Sequence, residues 1–171
     1  TSPGSSVDFF RIDHATREAL RSIWPTMEAA MPAILDKLYA HVLAFPDLKA
    51  MFPDAGIIQH ARQRQLEHWR HMFGGNFDES YVASVRRIAA AHVRIGLAPA
   101  YYAGAYLLAL EEISALVQSA SSRRTGLLGS KAKDQNGLSA VHRAVIYDLS
   151  LVVSTYMDEV NAQYRQRLAG L

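Results

Sequence analysis

Apolar residues recur every three or four positions along almost the whole chain, and alternating strand patterns are missing, so the sequence predicts an all-α protein. A first helix is expected from about Asp13 to Trp24, with Asp13 as its cap and Ala19, Leu20 and Ile23 turned inward. Phe9 and Phe10 precede it as a short extra turn or helix. Pro25 and Pro32 are expected to mark boundaries, giving a second segment over 25–31 and a third over 32–44. Pro46 to Phe52 reads as a helical turn. Long helices follow over 57–73, ended by Gly74 and Gly75, and from the cap Asp78 to His92. The next runs from Pro99 to about Ser119. Residues 120–137, rich in Ser, Gly, Lys and Arg, read as the one long loop. The last helix, over 138–168, carries an inward series at Leu138, Val141, Val145, Leu149, Val152, Tyr156 and Val160. Ile146, Val153 and Met157 leave it a second apolar strip.

Composition narrows this picture. A length of 171 residues suits one domain over 8–171, preceded by a flexible lead over 1–7. The start at Thr1 suggests a piece of a longer product. Half of the residues are hydrophobic, yet no apolar run is long enough to span a bilayer and no signal peptide pattern opens the chain. The net charge is only +2 and the arginines are scattered, which argues against a nucleic acid partner. The chain has no cysteine, which excludes disulfides and thiolate ligation. It also fits a cytoplasmic location.

The candidate chemistry lies between Ile88 and Tyr106. Ala89, Ala90 and Ala91 put small surface one turn before His92, Gly96 suits the left-handed position that ends a helix, and Pro99 suits the first turn of the next. A neutral imidazole held beside an apolar slot is what a porphyrin iron needs from a protein ligand. The plainer reading is a histidine near a helix C-terminus, favoured there by the helix dipole. The set Arg94, Ile95, Gly96, Leu97, Pro99, Tyr102, Gly104 and Tyr106 resembles the proximal corner of the globin-coupled sensor globins. These are the haem domains of bacterial aerotaxis transducers and diguanylate cyclases. The resemblance runs from about Phe9 to Tyr156 and is strongest from Met72 to Tyr106.

It implies a globin fold with an extra N-terminal helix and a short or absent D helix, and haem b as cofactor. His92 takes the position of the proximal iron ligand, Tyr39 that of the distal tyrosine, and Tyr102 that of a proximal-side tyrosine. A phenol at Tyr39 would donate to the partial negative charge of an oxygen ligand, worth about 1–3 kcal/mol when buried. Ala61, Gln65 and His68 fall along one side of the 57–73 helix. There Ala61 would enlarge the distal cavity, and Gln65 would supply a second hydrogen bond or hold a water. His68 is expected at the surface or beside a haem propionate rather than as a second axial ligand. Phe52 takes the place of an aromatic wedge against the haem, and Trp69, Met72, Leu97 and Ile146 are expected wall residues.

The resemblance implies a gas sensor domain that binds O2, with CO and NO as alternative ligands, and no catalytic residues of its own. It would report through a homodimer of the 99–119 and 138–168 helices to a C-terminal output domain outside this sequence. A stand-alone haem globin for O2 or NO chemistry is the alternative, although turnover would need a reductase that these residues do not encode. A cofactor-free helical interaction module is the third reading.

Overall fold

The computed structural model describes residues 5–122 and 130–170, and the side chains of 5–120 and 136–170. Seven α-helices make up the described residues: α1 Ser6–Phe9, α2 His14–Val42, α3 Pro46–Lys49, α4 Ala55–Phe73, α5 Glu79–Arg94, α6 Pro99–Ser122 and α7 Ser130–Ala169. No strand occurs among them, so the all-α expectation holds. The helix starts follow from local chemistry. Asp13, Asp54 and Asp78 each accept from the backbone N–H three residues on, at 2.8, 3.0 and 2.9 Å. Pro46 and Pro99 occupy first turns, where a missing N–H costs nothing. Ser5 and Asp8 close a capping box on α1, and Val7 of the expected lead is buried. Residues 1–4 lie outside the described residues. The extra N-terminal helix is α1, and no helix lies between Lys49 and Ala55.

Two boundaries differ from the sequence expectation. The three segments expected over 13–44 form the single helix α2, with Pro25 and Pro32 inside it. Both prolines are exposed and so lie on the outward side of α2. Leu20, Met27, Met31, Leu35 and Leu38 meanwhile keep one inward face unbroken. The loop expected over 120–137 is also shorter: α6 continues to Ser122 and α7 starts at Ser130, while residues 123–129 lie outside the described residues. Gly137, the last residue of the expected loop, is buried inside α7, where a Cβ would come within 3.1 Å of Ile23 Cδ1. A larger residue there would have to push the tip of the Ile23 side chain aside by a few tenths of an ångström.

The core is arranged around α7, against which α2, α5 and α6 pack, with α2 also joining α6 and α4. Val141, Val145 and Val152 of α7 are buried against Leu20 and Met31 of α2, Val85 of α5 and Ile113 of α6 in one cluster. Val160, expected on this inward face, is instead 55% exposed, because α7 continues past the body of the fold. The backbones of α4 and α5 do not pack closely on each other. Their ends meet where Tyr81 stacks on His68 and takes His71 edge-on, at ring separations of 6.0 and 5.0 Å. No helix among the described residues is long and apolar enough to cross a membrane.

Candidate functional site

His92 stands two residues before the end of α5 and is fixed at both backbone and side chain. Gly96, at φ +78°, follows the helix in the left-handed conformation that only glycine adopts without cost. The N–H of Leu97 then reaches back to the His92 carbonyl at 3.0 Å and that of Gly96 to Val93 at 3.0 Å, a Schellman closure. His92 Nδ1 lies 2.7 Å from the Ile88 carbonyl. An acceptor there requires the proton on Nδ1 and leaves the lone pair on Nε2. Burial holds the ring below its ordinary value of 6.5 against the raising effect of that carbonyl, so the imidazole is neutral at pH 7. Nε2 has no hydrogen-bond partner among the described residues. The Tyr102 ring meets the imidazole edge-on at 5.0 Å and fixes its plane.

Around His92 the chain supplies aromatic walls. Tyr102 stacks on Tyr106 at 5.2 Å and meets Tyr156 at 6.1 Å, and the Tyr156 hydroxyl donates to the Leu97 carbonyl at 3.1 Å. Of the expected residues, His92, Tyr102 and Leu97 are thus brought together on one side. Trp69 is buried, with its ring 6.1 Å from Tyr106, and Met72 is fully buried in the core.

A second group forms where α2 faces α4. Tyr39 is buried, Phe52 meets it edge-on at 5.8 Å, and the Arg62 guanidinium lies 5.8 Å from the Tyr39 ring centre. Arg62 is held there by Asp36 at 2.5 Å. Burial pushes the Tyr39 phenol up to about 12 despite the Arg62 charge, so it remains a hydrogen-bond donor at any physiological pH. Ala61 and Gln65 are half-buried on α4, flanking Arg62. The Gln65 Oε1 atom is buried without a hydrogen-bond partner, a condition that natural interiors rarely leave unrelieved. No ring contact joins this group to the His92 group among the described residues.

Two expectations are corrected. Ile146 is 48% exposed and lines no interior wall. It sits one residue past Val145 on α7, a rotation that carries it off the inward face. His68 is not a surface residue: its side chain is 9% exposed, and Nε2 lies 3.1 Å from Asp148 Oδ1.

Asp148 itself went unrecognised in the sequence. It is fully buried on α7 and accepts the Tyr81 hydroxyl at Oδ1 and the Tyr106 hydroxyl at Oδ2. Residues from α4, α5 and α6 therefore converge on one carboxylate of α7. Burial, reinforced by the Asp148 charge, raises both phenols far above the usual tyrosine range. The available signal was register, since Asp148 continues the inward series of Val141, Val145 and Val152. No cluster of three or more metal-ligating side chains occurs among the described residues.

A haem group fits the donor set. It needs a neutral imidazole with a free Nε2, which His92 offers. Comparison with known proteins agrees. The sequence pattern of the Protoglobin family matches residues 5–161. The fold is similar to the globin domain of the Geobacter sulfurreducens globin-coupled sensor, at a TM-score of 0.77 and 20% identity. That match covers 88% of this chain and 94% of the other. The residue pattern, the fold and the capped histidine at the end of α5 converge: this chain belongs to the protoglobin family, globins whose membership implies a haem cofactor.

Proposed function

We propose that this domain is a haem-based oxygen sensor, with haem b held by His92 and O2 as the ligand read. The observation that carries the reading is the state of His92. Its Nδ1 proton is committed to the Ile88 carbonyl, burial keeps the ring neutral, and the Gly96 closure fixes its backbone. Haem, when bound, supplies the iron at which diatomic gases are held. The chain's own residues then set which gas is favoured. Tyr39, protonated and buried, donates to a polar ligand, and Gln65 brings a second polar group. A donor favours O2 over CO, because CO accumulates much less negative charge on its outer atom. Phe52, Trp69, Met72, Leu97, Ala61 and Tyr102 exclude water and shape the walls.

Signalling through a second copy of the chain completes the proposal. Ile146, Val153 and Met157 of α7 are 48, 53 and 60% exposed, and Leu107 of α6 is 55% exposed. Apolar strips on two neighbouring helices are buried when two subunits pair them as a four-helix bundle. The strip continues through Tyr164, also exposed, toward an output domain placed after Leu171. The domain would act in the cytoplasm and carry no catalysis of its own.

The test is the absorption spectrum of the purified chain followed by oxygen release. A Soret band with slow O2 dissociation, accelerated in Tyr39→Phe without a matching change for CO, supports the reading. A chain with no Soret band after haem is added would refute it.

A further inference from the structure

The sensing role leaves one buried assembly unused: the ring series from His92 to Tyr106 and the carboxylate at its end. His92 meets Tyr102 at 5.0 Å between ring centres, and Tyr102 stacks on Tyr106 at 5.2 Å with the planes 22° apart. The Tyr106 hydroxyl donates to Asp148 Oδ2. Asp148 is wholly withdrawn from solvent; its other oxygen accepts the Tyr81 hydroxyl, and His68 Nε2 lies 3.1 Å from it without a hydrogen bond. We propose that Tyr106 is a redox-active tyrosine. It would donate one electron through Tyr102 toward the His92 side and its phenolic proton to Asp148, whenever a hydroperoxide has oxidised the haem group.

The step balances as follows. The Tyr106 O–H bond breaks, the proton forms a new O–H bond at Asp148 Oδ2, and one electron leaves the phenol ring. That electron would pass to the haem group held by His92, which the hydroperoxide would already have oxidised. Tyr106 is left as a neutral phenoxyl radical. This proposal rests on the haem reading.

Three features single out Tyr106 among the described tyrosines. Electron transfer falls steeply with separation, and stacked rings make the shortest path available. Losing an electron makes a phenol a far stronger acid, so oxidation at neutral pH stalls unless a base already holds the proton; Asp148 Oδ2 is such a base, in place before the reaction. Tyr102 lies on the path but has no carboxylate partner, so it passes the electron and does not retain the vacancy. Tyr81 has the carboxylate but its ring neighbours are His68, His71 and Phe77, away from the Tyr102 stack. The seclusion of Asp148 also keeps the proton at hand for return, making the site a reversible sink for oxidising equivalents that would otherwise damage the pocket.

The experiment mixes the haem-loaded chain with hydrogen peroxide, freezes it within milliseconds to seconds, and records electron paramagnetic resonance with and without ring-deuterated tyrosine. Wild type should give a tyrosyl signal that narrows on deuteration. Tyr106→Phe should lose it, and Tyr81→Phe should keep it. Asp148→Asn should lose most of it while the haem absorption spectrum stays as in wild type. If Asp148→Asn does not fold, Tyr102→Phe takes its place and should depress the signal by replacing the oxidisable phenol on the path with a ring that does not carry the vacancy. A signal that survives Tyr106→Phe would overturn the proposal. So would a signal insensitive to deuterated tyrosine, assigned instead to nearby Trp69, or no protein radical in a wild type whose haem spectrum is intact. Failure to take up haem at all is a separate outcome: it removes the haem reading, and the relay with it.

Discussion

Replacing Tyr81 by phenylalanine removes one oxygen from a fully buried site and little else. The ring keeps its place between His68, His71 and Phe77, so its packing is retained. What is lost is a hydroxyl donating to a carboxylate that is 0% exposed. Hydrogen bonds to charged groups are worth about 1.5–3 kcal/mol, and no water replaces the donor in a closed site. For a domain of this size each kcal/mol shifts Tm by about 2–4 °C, so Tyr81→Phe should lower it by about 3–12 °C. Urea unfolding followed by circular dichroism measures the same loss directly. Wild type and variant must be compared at equal haem loading, because a bound ligand adds its own stabilisation. Tyr101, 40% exposed, provides the control, and Tyr101→Phe should stay within about 0.5 kcal/mol of wild type. Adding Tyr106→Phe to Tyr81→Phe removes both hydroxyl donors to Asp148, so the double variant should lose more than the sum of the singles. A Tyr81→Phe protein as stable as its Tyr101→Phe counterpart would refute the reasoning that Asp148 is a buried charge held by its phenols.

Other predictions follow from individual residues. Tyr39→Phe should raise the O2 dissociation rate about fivefold to a hundredfold with little change for CO, the range expected from losing one buried donor; stopped-flow replacement of O2 by CO measures it. Gly96→Ala meets no neighbouring atom and should cost about 1 kcal/mol, the left-handed strain alone, in urea unfolding. Gly75→Ala, at φ +74°, should cost distinctly more, since its Cβ would also press on the Arg17 carbonyl at 3.1 Å. Because burial lowers His92 below 6.5, the unfolded chain takes up that proton first as pH falls. In the haem-free chain, stability should therefore decline on acidification below about pH 6.5, and His92→Gln should flatten that part of the unfolding profile. Glutamate at Ile146 and Val153 should shift sedimentation of a micromolar sample from dimer to monomer. A wild type already monomeric would remove the bundle from the signalling proposal.

What could be read from the sequence was whatever depends on neighbours along the chain. Asp13, Asp78, Gly96 and Pro99 act on groups within a few residues, so their roles as caps and corners were legible. The inward face of α7 was legible for the same reason as far as Tyr156, and misread at Val160 because periodicity does not say where the body of the fold ends. Pro25 and Pro32 misled because both fall on the outward side of α2, which is decided by packing. Gly137 was placed in a loop because its packing against Ile23 of α2 is not visible along the chain. Asp148 was hidden most completely. Its partners Tyr81 and Tyr106 lie 67 and 42 residues away, and only the tertiary fold brings them to one carboxylate.

The central claim is that His92 Nε2 holds the haem iron, and removing and resupplying that atom tests it most directly. His92→Gly should abolish the ferrous imidazole-type absorption spectrum, and free imidazole should restore it by entering the space the side chain vacated. A His92→Gly protein whose ferrous spectrum matches wild type without added imidazole would contradict the claim.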